Sequence, residues 1–223
     1  ERFPKRESLA EATPAEVLQY WSGLGYNRRA LYLQKCAQEL CKRKNFPTEK
    51  KDLEKLPGLG PYTAAAVLSF SFNKDIPVID VNIALLYKRI FYPRKDEEII
   101  AKELLPLGRS RDWHNALMDL GSLYCHRTNP DCISCPVQKL CASAHDKKKI
   151  EYTWSKKKVK AFKSSDRIVR GGILKLLTKK DGQSITRINR ALVLQGIERD
   201  EKTFEAIVHK LEQEGLVRKQ KGK

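Results

Sequence analysis

The sequence is nearly devoid of methionine: Met118 is the only one in 223 residues, and the first residue is Glu1. A translated chain starts with methionine, so an upstream segment is expected to be missing. No window approaches the ~20 consecutive apolar residues that cross a bilayer, and no charged-then-apolar leader opens the chain. Membrane insertion and export are therefore not expected, and a cytoplasmic, nucleoid-associated, prokaryotic-type location is. Acidic residues are scarce, 27 Asp plus Glu against 44 Lys plus Arg, which leaves a net charge of +17. An excess of this size attracts polyanions, of which duplex DNA is the densest common example. A solubility surface or an unrelated basic tail is the alternative, but the charge is spread over several segments.

Cysteine is also sparse outside one place. Of six cysteines, four crowd into Cys125, Cys132, Cys135 and Cys141, with intervals of six, two and five residues. In a chain without an export signal this favours metal ligation over disulfides. Four thiolates in one loop can hold a [4Fe–4S] cluster or, alternatively, zinc. Cys36 and Cys41 lie in a helix-like stretch and read as structural.

Alternating strand patterns are absent from residues 1–150, which read as short helices joined by tight turns. Thr13-Pro14-Ala15-Glu16 is a helix start with a capping hydroxyl and proline in the first turn. Arg29 to Lys42 carries Leu31, Leu33, Ala37 and Leu40 at helical spacing. Thr48 is placed to cap a helix over 49–56, Gly60-Pro61 opens Tyr62–Phe72, and Val78–Arg89 and Trp113–Leu123 follow. Residues 145–165 are rich in lysine and read as a basic linker, either lying along DNA or merely solvated. Residues 166–223 recover helical periodicity over Ile168–Leu177, Ile185–Leu194 and Phe204–Leu211, then reach Gly215-Leu216-Val217. Three helices and a short strand fit a small winged-helix-like module. The expected domains are thus 1–144, a linker at 145–165, and 166–223.

Two motifs in the first part carry chemistry. Leu56-Pro57-Gly58-Leu59-Gly60 joins two helices with a glycine turn whose backbone can approach a phosphate, and the next helix presents its positive end to the same place. Ile79-Asp80-Val81-Asn82 begins the helix after that. An aspartate there is ordinarily an N-cap. Its position shortly after the hairpin gives it a second reading, as an anion able to stabilise a cationic sugar.

In this order, hairpin, Asp80 and cysteine loop over residues 1 to about 145 resemble the helix-hairpin-helix DNA glycosylase superfamily with an iron–sulfur loop. Trp21-Ser22-Gly23-Leu24-Gly25-Tyr26 and Ala116-Leu117-Met118-Asp119-Leu120-Gly121 resemble segments of its adenine-removing MutY group. The resemblance implies a mainly α fold, a resident [4Fe–4S] cluster on the four cysteines, and a monomer acting on double-stranded DNA with a mismatched or oxidised pair. It implies that Asp80 faces the sugar of a flipped nucleotide, with Tyr62 and Asn82 orienting it and the attacking water. It also implies DNA contacts at Tyr26, Arg28, Leu56, Gly58, Gly60, Arg127 and Lys139. Tyr26 would wedge into the duplex; the alternative is a packed core aromatic.

The residue after the hairpin sorts the branches. Endonuclease III-like members carry a lysine that forms an imine with the sugar; here Tyr62 stands there, and a phenol cannot. A monofunctional glycosylase is expected, most simply one removing adenine opposite 8-oxoguanine or guanine. Thymine or uracil removal at T·G or U·G mismatches is the close alternative, and a catalytically inactive DNA-binding or adaptor protein the alternative of another class. The glutamate that protonates the leaving purine in MutY lies upstream of Glu1, so this chain as it stands is expected to be weakly active or inactive.

Overall fold

The computed structural model describes residues 2–94, 96–152 and 165–220. Among these residues the regular structure is helical, without strands. The mainly α expectation is met, and the strand anticipated at Gly215-Leu216-Val217 is not formed. Leu216 is instead buried at the end of the last helix, where its N–H donates to Leu211 O at 2.9 Å. The chain divides into two compact units, Glu1–Phe46 with Lys158–Lys223, and Pro47–Lys157.

The first unit holds α1 (Arg6–Glu11), α2 (Pro14–Tyr20) and α3 (Arg28–Cys41), together with α10 (Asp166–Lys179), α11 (Ile185–Val193) and α12 (Glu201–Gln213). Thr13 caps α2 by accepting from Glu16 N, as its sequence foretells, while the Glu16 carboxylate turns to Arg2. Val17, Leu18, Ala30 and Leu31 share one core with Val169, Ile173, Ile188, Leu192, Phe204 and Leu211. The boundaries expected at 144 and 166 are therefore not those of the compact units. The apolar face of α2, with Ala30 and Leu31 at the start of α3, finds its cover in the C-terminal helices, a long-range pairing that local periodicity does not encode, while the rest of α3 packs along α1. Where α10 meets α11, Gly172 lets Leu192 approach closely: a Cβ there would lie 2.5 Å from Leu192 Cδ2.

The second unit holds α4 (Lys50–Leu53), α5 (Pro61–Phe72), α6 (Val81–Ile90), α7 (Glu97–Leu104), α8 (Ser110–Leu123) and α9 (Lys147–Tyr152). The helix at α4 is one turn only and Thr48 does not cap it; the Thr48 carbonyl instead accepts from Lys74 Nζ at 2.6 Å. Alanine at 64 and 65 with Leu68 gives α5 a narrow, fully buried face. The helix stops at Asn73, in the left-handed region at φ 51°, a conformation that asparagine tolerates. The Asn73 amide then donates to Gly108 O and accepts from Arg111 N, so the end of α5 is tied to the start of α8. Ile83, Leu86, Tyr87, Ile100, Ala101 and Leu117 form a second core among α6, α7 and α8. The stretch expected to be linker from 145 opens with α9; residues 153–164 of that expectation lie outside the described residues.

Candidate functional site

The hairpin between α4 and α5 is built by short-range bonds. Leu56 N donates to Leu53 O at 3.0 Å and Leu59 N to Leu56 O at 3.2 Å. Gly58 turns the chain at φ +81°, where a side chain would be strained. Gly60 is extended at φ −85°; what matters there is open space, for nothing lies within 4 Å of where its Cβ would be. Both glycines are exposed, and no side chain caps the N-terminus of α5. The result is bare backbone next to the positive end of a twelve-residue helix, a site suited to an anion. Leu56 corrects the sequence expectation: its side chain is 3% exposed and cannot reach a phosphate. It anchors the hairpin from beneath.

The segment after α5 leads to Asp80, the extended N-cap residue of α6. One carboxylate oxygen, Oδ1, accepts from Asn82 N at 2.9 Å and Ile83 N at 2.7 Å. Among the described residues the other, Oδ2, has only a long 3.5 Å approach from Asn82 Nδ2. Capping and chemistry are thus compatible in one residue, because the cap uses one oxygen and leaves the other. Asn82 is exposed, and α8 passes behind it at Gly121, where a Cβ would stand 3.5 Å from Asn82 Cβ. Tyr62, in the first turn of α5, is half-exposed. Its phenol is pushed above the ordinary range by burial and, second, by the nearby negative charge of Asp80. Asp80 and Asn82 thus adjoin at the start of α6, near enough to Tyr62 for the Asp80 charge to act on its phenol, and Tyr62 stays a protonated hydrogen-bond donor at neutral pH.

At the far end of α6 the four cysteines Cys125, Cys132, Cys135 and Cys141 line a single cavity with Leu86 and Arg89. Burial first, and the neighbouring thiols after it, push Cys125 and Cys141 up. Isolated thiolates are disfavoured in such a place, whereas a bound cationic metal centre reverses that preference. Among the described residues no group of three or more His, Cys, Asp or Glu is set to hold a metal ion. The fit rests on the donor chemistry: four soft ligands on one cavity, with a buried cation beside them. That cation is Arg89, 2% exposed, whose guanidinium donates to Cys125 Sγ at 3.4 Å, His126 O at 2.8 Å and Arg127 O at 2.8 Å. Arg127 and Lys139 are exposed on this loop.

Tyr26 and Arg28 belong to the first unit. Tyr26 is 74% exposed and left-handed at φ 49°, so it is not a packed core aromatic. Its turn is held by Gly23 and Gly25, both at positive φ, and by Trp21 Nε1 donating to Gly25 O at 2.8 Å. Arg28 is exposed and donates to Tyr32 Oη at 2.7 Å.

Sequence reasoning missed two residues of this region. Arg89 is the one basic side chain on the buried face of α6, at helical spacing from Leu85 and Leu86, and that misfit was its signal. His114, 1% exposed in α8, gave no local sign.

Residues 1–109 match the model of the HhH-GPD superfamily of base excision DNA repair proteins, and the chain belongs to that superfamily. Within it, the chain is similar to adenine DNA glycosylases. It is 33% identical to that of Buchnera aphidicola over 166 residues, 70% of this chain and 47% of the relative. It is 32% identical to that of Mycolicibacterium smegmatis over 200 residues, 86% of this chain and 66% of the relative. The chain spans about half the length of the first of these. Among solved structures, a thermostable thymine-DNA glycosylase aligns with a TM-score of 0.58 at 28% identity, covering 63% of this chain and 70% of that one. A non-covalent endonuclease III–DNA complex aligns with a TM-score of 0.56 at 25% identity, over 64% of this chain and 71% of that chain. No helix among the described residues is long and apolar enough to cross a membrane.

Proposed function

We propose that the chain serves a monofunctional DNA glycosylase that hydrolyses the N-glycosidic bond of a flipped adenine opposite guanine or 8-oxoguanine. The observation that carries the reading is Asp80: a carboxylate fixed through one oxygen at the N-cap of α6, with the other left for chemistry. Bare hairpin backbone at Gly58 and Gly60 fits a DNA phosphate irrespective of sequence. Exposed Tyr26 on its glycine turn fits a wedge that opens the stack, with Arg28 alongside. Unpairing costs a few kcal/mol and less at a mismatch, which favours the damaged site.

As the C1′–N bond breaks, positive charge gathers on the deoxyribose and the Asp80 carboxylate opposes it electrostatically. Water then adds its oxygen to C1′; of its two protons, one stays on the sugar hydroxyl and the other balances the departing base. Tyr62 and Asn82 orient the carboxylate and the water by hydrogen bonding. Tyr62 also sets the outcome, since a phenol forms no imine and the strand is left uncut. Cys125, Cys132, Cys135 and Cys141 hold a [4Fe–4S] cluster in this reading. The cluster shapes the exposed basic loop bearing Arg127 and Lys139 for the DNA backbone and takes no part in bond cleavage.

The adenine preference draws on the names of the curated relatives and on the Trp21–Tyr26 segment. The structural likeness to a thymine-DNA glycosylase keeps T·G and U·G mismatches as the second reading. Base release by the full-length protein from duplexes bearing A·8-oxoguanine, A·G, T·G and U·G decides between them. Release from the first two supports the proposal, release confined to the last two replaces it with the second reading, and DNA binding without release leaves an inactive scaffold.

A further inference from the structure

His114 is a buried titratable group for which the reaction above has no use, yet every polar atom of its ring is engaged. Its Nε2 lies 2.9 Å from Val78 N, and its Nδ1 lies 2.7 Å from Ser110 O and 3.0 Å from Ser69 Oγ. A backbone amide can only donate, so Nε2 must be the unprotonated nitrogen and Nδ1 carries the hydrogen, given to Ser110 O. The ring is thereby fixed in one tautomer between α5 and α8. Burial lowers its pKa and keeps it neutral.

What the ring holds is informative. Between α5 and α6 the chain passes through Ile76, Pro77, Val78 and Ile79 to Asp80 without regular secondary structure. Pro77 has no N–H, and among the described residues the Val78 amide is the last backbone group bonded to another element before the Asp80 cap. The Val78 side chain is also buried, at 1% exposure. Asp80 is thus located from two sides: by α6 through the amides of Asn82 and Ile83, and by α8 through the bond from Val78, two residues upstream, to His114.

We propose that His114 is a positioning residue for Asp80: its Nε2 fixes the Val78 amide and, through it, the connecting segment that delivers the carboxylate to the start of α6. This deepens the functional reading above and rests on Asp80 being the group that opposes charge on the sugar.

Three measurements on the full-length protein test it. The nitrogen-15 spectrum of His114 should show a neutral ring protonated on Nδ1; an Nε2-protonated ring overturns the proposal. Amide exchange in the His114→Leu variant should accelerate about tenfold or more at Val78 and also at Asn82 and Ile83, the two amides that Asp80 holds. His114→Gln, which offers an acceptor oxygen in place of Nε2, should restore protection. Faster exchange at Val78 with Asn82 and Ile83 unmoved would reduce His114 to a packing residue and overturn the proposal. Single-turnover base release should fall about 10²-fold in His114→Leu with duplex affinity unchanged, the scale expected when a reacting group is displaced by ~1 Å. Unaltered release in that variant also overturns it. Should His114→Leu fail to fold, the tautomer and the Gln variant decide. Asp80→Asn keeps the two readings apart: full activity there removes the functional reading, while exchange at Asn82 and Ile83 still reports whether His114 positions residue 80.

Discussion

Replacing Asp80 by asparagine separates capping from catalysis, because the two duties fall on different oxygens. The amide oxygen of the new side chain can take over the bonds from Asn82 N and Ile83 N that Oδ1 accepts in the native protein. Asparagine and aspartate are about equal as N-caps, so the loss is confined to the charge at the helix start, about 0.3–1 kcal/mol. Urea unfolding should therefore shift by no more than about 1 kcal/mol. Removing an anion that faces a developing cation has a different scale, at least the ~3–4 kcal/mol found for preorganised groups of this kind, or about 10²–10³ in rate. Single-turnover release of adenine from a labelled duplex reads that loss, and band-shift titration checks that binding is kept. Asp80→Ala should lose as much rate and a further 0.5–2 kcal/mol of stability, about the worth of an N-cap. An Asp80→Asn protein turning over within about tenfold of the native rate would refute the reasoning, as would asparagine and alanine variants of equal, greatly reduced stability.

Tyr62→Lys places an amine where burial and Asp80 act on the phenol; borohydride should then trap a covalent protein–DNA adduct that the native protein does not give. Leu56→Ala should cost about 2–5 kcal/mol in chemical denaturation, since its side chain is 3% exposed. Tyr26→Ala, at a position 74% exposed, should stay within about 0.5 kcal/mol while slowing base release. Cys132→Ala should abolish the broad visible absorption expected of the iron–sulfur protein; a colourless native protein containing zinc would overturn the cluster assignment. His114 makes a pH-dependent contribution to stability, and its contacts named here (Ser69, Phe70, Ser110 and Val78) carry no charge. Its folded pKa is lowered, so that contribution is complete above the ordinary value of 6.5 and is lost as pH falls towards the lowered one. Denaturation midpoints of His114→Gln should lack that part of the acid-side decline.

The sequence by itself determined most of the longer helices and the order of the motifs, because these are written in short-range terms, while α1, α7 and α9 were not read from it. Proline at position 61, the left-handed turn required at Gly58 and the cap at Asp80 each depend on neighbours within a few residues. The four cysteine positions likewise announced their shared loop through spacing alone. Tertiary structure decided what lies across the chain from each of these. It buried Leu56, which reads in sequence as part of the DNA-facing turn, and exposed Tyr26, which could as well have been core. It joined α2 and α3 to the C-terminal helices in one core, against the boundary that composition indicated. It also set His114 against Val78, 36 residues away, and Arg89 against the loop at Cys125, also 36 residues away. Apolar periodicity says which face of a helix seeks cover, and only packing selects the surface that supplies it.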